Sequence, residues 1–377
     1  LSSSVLFISK PIAPPFHDGT KCLVRDVAGH LERVRPVLLT SQGVERVEGI
    51  PAGRAELVPI YPTAGAFAPK LTDNVRAAAW VLLRARADVW HFVFAPNPRT
   101  SAVGRAMKRL RGVPVVQTVA SPPRSFAAVS KLLFGDVVVA QSRWTERRIR
   151  EACRSEGSRA PRLEVIPPPV PEIVPRSLES VRELLRELRV PESAPLFVYP
   201  GDLETSSGAS VTASIAEALA RALPNAVVVF AYREKTPRAR EVARSLEQRL
   251  AGTNVRLVSE LPDILKLVQA ATALLFPVDD LWGKVDLPIV LLEALSLGVP
   301  VVALDQGPLA DLEGAIKLDG LGVDAWVERL LELASNDQAR RIASERGQKA
   351  VAERYAARRV AAAYEELYLE VGRAGVE

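Results

Sequence analysis

Along the chain, short runs of apolar residues alternate with longer segments in which apolar positions recur every three or four residues. The runs have the length of buried strands, and the longer segments have the period of helices with one face in a core. Repeated alternation of this kind predicts α/β layering, because parallel strands need a crossover between them and are covered on both faces. In the first half, strands are expected at 4–9, 37–40, 57–60, 89–94, 113–118, 137–140 and 163–166. Helical periodicity falls between them at 21–31, 73–87, 101–111 and 144–153.

The run Pro167-Pro168-Pro169-Val170-Pro171 suits neither a helix interior nor a central strand, and marks a domain boundary. Beyond it the same grammar resumes. Strands are expected at 196–199, 226–231, 255–258, 273–276 and 299–304, with helices at 209–222, 238–250, 261–270 and 288–297. The remainder is almost wholly helical, at 325–334, 337–354 and 356–371; in the last, Val360, Tyr364, Leu367 and Tyr368 share an apolar face. The expectation is two doubly wound domains, 1–170 and 171–355, with 356–377 as a separate terminal helix. Ligands of such sheets bind outside the carboxyl ends of the strands.

Composition narrows the field. The chain has 377 residues, 48% hydrophobic and 25% charged, which excludes a disordered or low-complexity protein. No uninterrupted apolar stretch is long enough to span a bilayer, and Leu1 to Lys10 reads as a strand rather than a signal peptide. Cys22 and Cys153 make neither a disulfide framework nor a zinc cluster, so a reducing cytoplasm is the expected location. The net charge of +5 hides an asymmetry. Residues 1–170 hold 25 Lys/Arg against 13 Asp/Glu, a net +12, whereas residues 171–377 are at −7. The basic half fits an anionic partner, which is a phospholipid surface, a nucleic acid or a phosphorylated substrate, or else a scatter of solvated arginines.

The richest segment for chemistry runs from Gly283 to Ala303. A loop with Lys284 and Asp286 leads into a helix whose Pro288 suits the first helical position, and Gly298 ends that helix. The exposed amides and dipole of a helix start form a phosphate site. Glu293, in an otherwise apolar run, can accept hydrogen bonds from a ribose diol, or else serve as a structural carboxylate.

Leu292-Glu293-Ala294-Leu295 followed by Gly298-Val299-Pro300-Val301-Val302-Ala303 resembles the nucleotide-sugar signature of the retaining GT-B glycosyltransferases, the family 4-like group. Further segments resemble that family in order: Asp88-Val89-Trp90-His91, Gly112 to Thr118, Gly135-Asp136 to Ser142, Val165-Ile166-Pro167 and Ala271 to Pro277. The resemblance implies a GT-B fold, two Rossmann-like domains facing a cleft, with the final helix returning to the N-terminal domain. It implies transfer of a sugar from a nucleoside diphosphate donor with retention, without a metal or other cofactor. Catalytic roles then fall on Asp286, Lys284 and His17. The ribose and diphosphate fall on Glu293, Leu287, Pro288 and Gly19, and the base on Glu260 and Leu261. The acceptor enters over Asp18, Thr20 and Lys21, with Asp18 or Thr20 capping the first helix.

The chain departs from the family at three points. The motif has two acids eight positions apart, and the partner of Glu293 at that spacing is Val285; Asp286 is one residue late. The family's Arg/Lys pair after the first strand of the second domain is replaced within Gly201 to Gly208, where Asp202 and Ser207 stand in the cation positions. Lys284, Arg233 or Lys235 are the candidate substitutes. The strand ending at Thr118 is not followed by the family's His. A catalytically silent module that binds a nucleotide, a glycan or a partner enzyme is therefore the second reading. Of the three histidines, His17 is the best placed for a ligand, while His30 and His91 read as structural. Three basic helical stretches of the first half, about Arg76, Arg105 and Arg147, make an anionic membrane an expected peripheral contact. Nucleic acid falls behind, since aromatic residues total only 6% and do not interleave with the basic ones.

Overall fold

In the computed structural model, which describes residues 3–16, 18–62, 69–234, 236–281 and 283–374, the apolar runs of the first half form seven strands. They are β1 (Ser4–Ile8), β2 (Arg35–Ser41), β3 (Glu56–Tyr61), β4 (Val89–Phe94), β5 (Val115–Val119), β6 (Val137–Ala140) and β7 (Arg162–Val165). All pair in parallel in the order β3-β2-β1-β4-β5-β6-β7, so the order reverses between β1 and β4. The intervening helices are α1 (Gly19–His30), α2 (Leu71–Arg84), α3 (Pro98–Arg111) and α4 (Arg143–Ser155). Alternate residues of a strand serve opposite faces. Val5 and Phe7 pack with Leu23, Val24 and Val27 of α1, while Leu6 packs with Val81 of α2 and Met107 of α3.

Helix starts follow local capping chemistry. The helix expected from residue 101 begins three residues earlier because Asn97 accepts the Thr100 amide (3.1 Å) and Pro98 needs no amide partner. It stops at Gly112, whose φ of 63° is left-handed.

The second sheet contains β8 (Leu196–Tyr199), β9 (Val227–Tyr232), β10 (Val255–Ser259), β11 (Ala273–Phe276), β12 (Val301–Leu304) and β13 (Ile316–Leu318). Its order is β10-β9-β8-β11-β12-β13, again parallel, with the reversal between β8 and β11. Its helices are α5 (Leu178–Glu187), α6 (Gly208–Ala222), α7 (Pro237–Arg249), α8 (Ile264–Ala270), α9 (Ile289–Ser296), α10 (Val323–Ser335) and α11 (Asp337–Ala350). α8 starts at 264 rather than the expected 261, because Asp263 caps the Leu265 amide (3.1 Å) and is anchored by Arg176 (2.5 Å).

The chain divides into two units. One comprises Leu1–Pro171, Trp282–Ile289 and Arg354–Glu377; the other comprises Glu172–Leu281 and Val290–Glu353. The last helix, α12 (Ala357–Ala374), completes the first unit. Val170 anchors its start, donating to the Tyr355 carbonyl (2.7 Å) and accepting from the Ala357 amide (2.8 Å). Val360, Tyr364, Leu367, Tyr368 and Val371 then join the core beside α1. At about 1.5–3 kcal/mol for each large buried side chain, this face contributes on the order of 10 kcal/mol. Glu365 adds a polar clasp: its Oε1 accepts the amides of Glu32 (2.8 Å), Arg33 (2.6 Å) and Val34 (3.0 Å).

Candidate functional site

In each sheet the place to look is the carboxyl end of the strands where the order reverses. In the first unit this is the segment between β1 and α1. Asp18 is the N-cap of α1, accepting from Thr20 N (3.0 Å) and Lys21 N (3.3 Å), so it rather than Thr20 caps the helix. Its other oxygen pairs with Lys10 Nζ at 2.6 Å. Burial raises the Asp18 pKa, but the Lys10 charge and hydrogen bonds from Lys10, Lys21 and Thr20 outweigh it and hold the carboxyl below its ordinary value. Lys21 is buried and donates to the Ala13 carbonyl (3.0 Å); burial lowers its pKa. The amides at the start of α1 are thus already matched to the protein's own carboxylate. Sequence reasoning missed Lys10, whose only signal was a lysine directly after the first strand. His17 lies outside the described residues.

The segment Trp282–Ile289 belongs to this same unit. A Cβ on Gly19 would lie 2.9 Å from Val285 Cγ1, so the bare backbone of Gly19 is what admits Val285. Val285 therefore rests on the start of α1 at the position where the family motif carries its first acid. Asp286 is fully buried, and its Oδ2 accepts from Ser142 Oγ at 2.6 Å. Ser142 is also the N-cap of α4, accepting from Thr145 N (3.1 Å), so one hydroxyl uses its proton on Asp286 and a lone pair on the helix. The carboxylate expected to serve in catalysis is thus engaged by a hydroxyl of the protein itself. Leu287 and Pro288 are buried and Lys284 is half-buried.

In the second unit, Tyr199 at the end of β8 organises the following loop. Its hydroxyl donates to the Asp202 carbonyl (2.9 Å), and a Cβ on Gly201 would lie 2.3 Å from its ring. Glycine at 201 is required for that reason, and Asp202 is buried. Across the reversal, Asp279 after β11 takes both the Ser207 amide (3.0 Å) and the Ser207 hydroxyl (2.7 Å). Ser207 immediately precedes α6, so a carboxylate of the protein occupies that helix start, at one of the two positions where the family has cations. This pairing could not be read in advance, because its partners are 72 residues apart.

Glu293 lies on α9 and is half-buried among Leu291, Leu292, Ala294 and Leu295, which are buried. Glu260 follows β10 with φ of 55°, its amide donating to the Tyr232 carbonyl (3.1 Å); Leu261 and Arg233 are half-buried. Lys235 lies outside the described residues. Among the described residues, no group of three or more His, Cys, Asp or Glu side chains is arranged to hold a metal ion.

His91 is the centre of a different cluster. It is fully buried, with Nε2 2.7 Å from Thr118 Oγ1 and Nδ1 2.7 Å from the Tyr368 hydroxyl. Thr118 Oγ1 also lies 3.1 Å from the Tyr364 hydroxyl. Burial pushes the pKa of His91 down to about 3, so the imidazole is neutral and serves to tie α12 to β4 and β5. His30 is bound to the Asp26 carbonyl (2.7 Å), a local structural contact.

Residues 180–350 match the family model described as "Glycosyl transferases group 1". None of the curated protein sequences matches the chain significantly. Among solved structures, the Anabaena protein Alr3699/HepE in complex with UDP and glucose is similar at TM-score 0.69 and 16% identity, over 96% of this chain and 98% of that one. A glycosyltransferase from Rickettsia africae ESF-5 is similar at TM-score 0.74 and 14% identity, over 98% of each chain. The sucrose-phosphate synthase of Thermosynechococcus elongatus is similar at TM-score 0.72 and 16% identity, over 99% of this chain and 100% of that one. These likenesses, with the two parallel sheets, define the fold as GT-B, built of two Rossmann-like units.

Proposed function

We propose that this protein transfers a hexosyl group from a nucleoside diphosphate sugar to an acceptor hydroxyl with retention at the anomeric carbon. The observation that carries the reading is the match of residues 180–350 to the group 1 family, on a GT-B chain with the Glu293 segment inside it. The structure of Alr3699/HepE with UDP-glucose supports a uridine donor as the first to try. In this reading Glu293 accepts from the ribose diol, Lys284 and the start of α9 hold the diphosphate, and the base lies against Glu260 and Leu261. Asp286, gripped by Ser142, holds the conformation of the segment that carries Lys284. Electrostatic stabilisation of the departing diphosphate is the largest demand of such chemistry. The work falls to Lys284 and Arg233, because the α6 start is occupied by Asp279. Transfer needs no resident metal in this scheme, and the protein acts in the cytoplasm.

The experiment is calorimetric titration with UDP, GDP and ADP, followed by turnover of the matching sugar nucleotides. One nucleotide is expected to bind, and Glu293→Ala to weaken it by about 10- to 100-fold, the loss of a pair of charge-assisted hydrogen bonds. Unchanged affinity in Glu293→Ala would place the donor elsewhere. NMR of the product reads the anomeric configuration, and an inverted product would overturn retention. Asp279 on Ser207 favours one second reading, a GT-B module that binds nucleotide without turning it over. Binding with no hydrolysis or transfer of any donor would establish that second reading in place of the first.

A further inference from the structure

Helices α2 and α3 each carry two apolar stripes, and only one of them is buried. The inner stripes, Ala77 and Val81 of α2 and Met107 of α3, pack on the first sheet with Leu6, Leu39, Trp90 and Phe92. The helices are neighbours on that face: the Arg111 guanidinium at the end of α3 donates to the carbonyls of Leu82 and Ala85. The second stripes point away from the sheet. On α2 they are Leu71 (79% exposed), Val75 (61%), Ala79 and Leu83 (79%), four residues apart throughout. On α3 they are Val103 (51%), Ala106 and Leu110 (73%), three and four residues apart. A water-facing helix surface is normally polar at these positions. Most of the large, exposed apolar side chains among the described residues fall on these two helices.

The charges around the stripes have one sign. Exposed Arg76 and Arg84 flank the α2 stripe, and Arg99 and Arg109 flank that of α3. The one acid on either helix, Asp73, is buried and faces Arg76 at 3.6 Å. Neither helix exposes a carboxylate. A second copy of the chain is a poor occupant, since a two-fold interface would set this patch against itself and bring arginine to arginine. Apolar side chains ringed by cations match the interface of an anionic bilayer, where the methyl groups enter the acyl boundary and the guanidinium groups meet phosphates.

We propose that the outward face of α2 and α3 seats the first unit on an anionic lipid surface. The inference goes beyond the glycosyl-transfer reading and does not rest on it. It sharpens the expectation from charge alone, since Arg105, Lys108, Arg148 and Arg150 turn out to be bound to carbonyls or carboxylates of the protein.

The test is co-sedimentation of the full chain with vesicles of phosphatidylcholine alone or mixed with phosphatidylglycerol. Binding is expected to the mixed vesicles only, and to weaken as salt rises. The double substitution Leu83→Asp/Leu110→Asp should lower it by about tenfold or more, and Arg84→Gln/Arg109→Gln by about tenfold. Melting temperatures should stay unchanged, since all four side chains are exposed. The arginine pair provides a second readout if the aspartates disturb folding. Absence of wild-type binding to mixed vesicles would overturn the proposal, as would equal binding by both variants. A dimer that Leu83→Asp/Leu110→Asp splits, without vesicle binding, would instead make the face a protein interface.

Discussion

His91 shows what burial does to a residue that could have been a ligand. Its ring accepts or donates at both nitrogens within the core, and its pKa of about 3 lies far below the ordinary 6.5. Between those values the unfolded chain takes up a proton that the folded chain refuses. Its contribution is therefore complete above about pH 6.5 and is lost as pH falls towards 3, at about 1.4 kcal/mol per pH unit. Urea unfolding as a function of pH should show this acid limb in the wild type and a flatter one in His91→Leu. An unchanged slope would show that other groups set it. The sequence read His91 as structural, but nothing in it named Tyr368, 277 residues away.

At the level of elements, the short apolar runs were the most legible feature. Residues 89–94, 137–140, 196–199 and 273–276 are strands with the boundaries the pattern predicts, because each is buried along its whole length or nearly so. Two elements escaped. α5 lies shortly after the proline-dense run and shows only Val181, Leu184 and Leu185 to the core, while β13 is three half-buried residues at a sheet edge. β13 is too short to display a period, whereas Val181, Leu184 and Leu185 carry the helical spacing that could have revealed α5. The candidate site was legible as segments but not as contacts. Val285 on Gly19, Asp286 on Ser142 and Asp279 on Ser207 all join distant parts of the chain. Ser142→Ala is the test at this scale, since it removes a helix cap and leaves a buried carboxylate without its hydroxyl. It should cost about 2–4 kcal/mol in chemical unfolding. A loss below about 0.5 kcal/mol would mean that Asp286 is held by other groups.

For the whole molecule, the grouping of Arg354–Glu377 with the first unit decides what can be cut. The face of α12 contributes on the order of 10 kcal/mol, comparable with the entire net stability of a domain. A chain of residues 1–353 should therefore lose the fold of its first unit, exposing apolar surface to a hydrophobic dye and its loops to limited proteolysis. Sharp, protease-resistant behaviour of that fragment would show that α12 is dispensable. The charge division belongs to this scale as well. The +12 of residues 1–170 fits either an anionic partner or solvated arginines, and under the proposed lipid seating the exposed stripes of α2 and α3 are the face that meets it.

The position of α12 also bears on how the protein is made. A ribosome delivers β1 well before α12, yet Val5 and Phe7 of β1 share a core with Tyr364 and Tyr368. The sheet begun first therefore waits, with one face covered only in part by α1, until α12 emerges, whereas the second unit has all its residues by Glu353. The order of completion is the reverse of the order of synthesis. A nascent chain stalled short of α12 holds apolar surface ready for a chaperone, and its release is timed by the emergence of that helix.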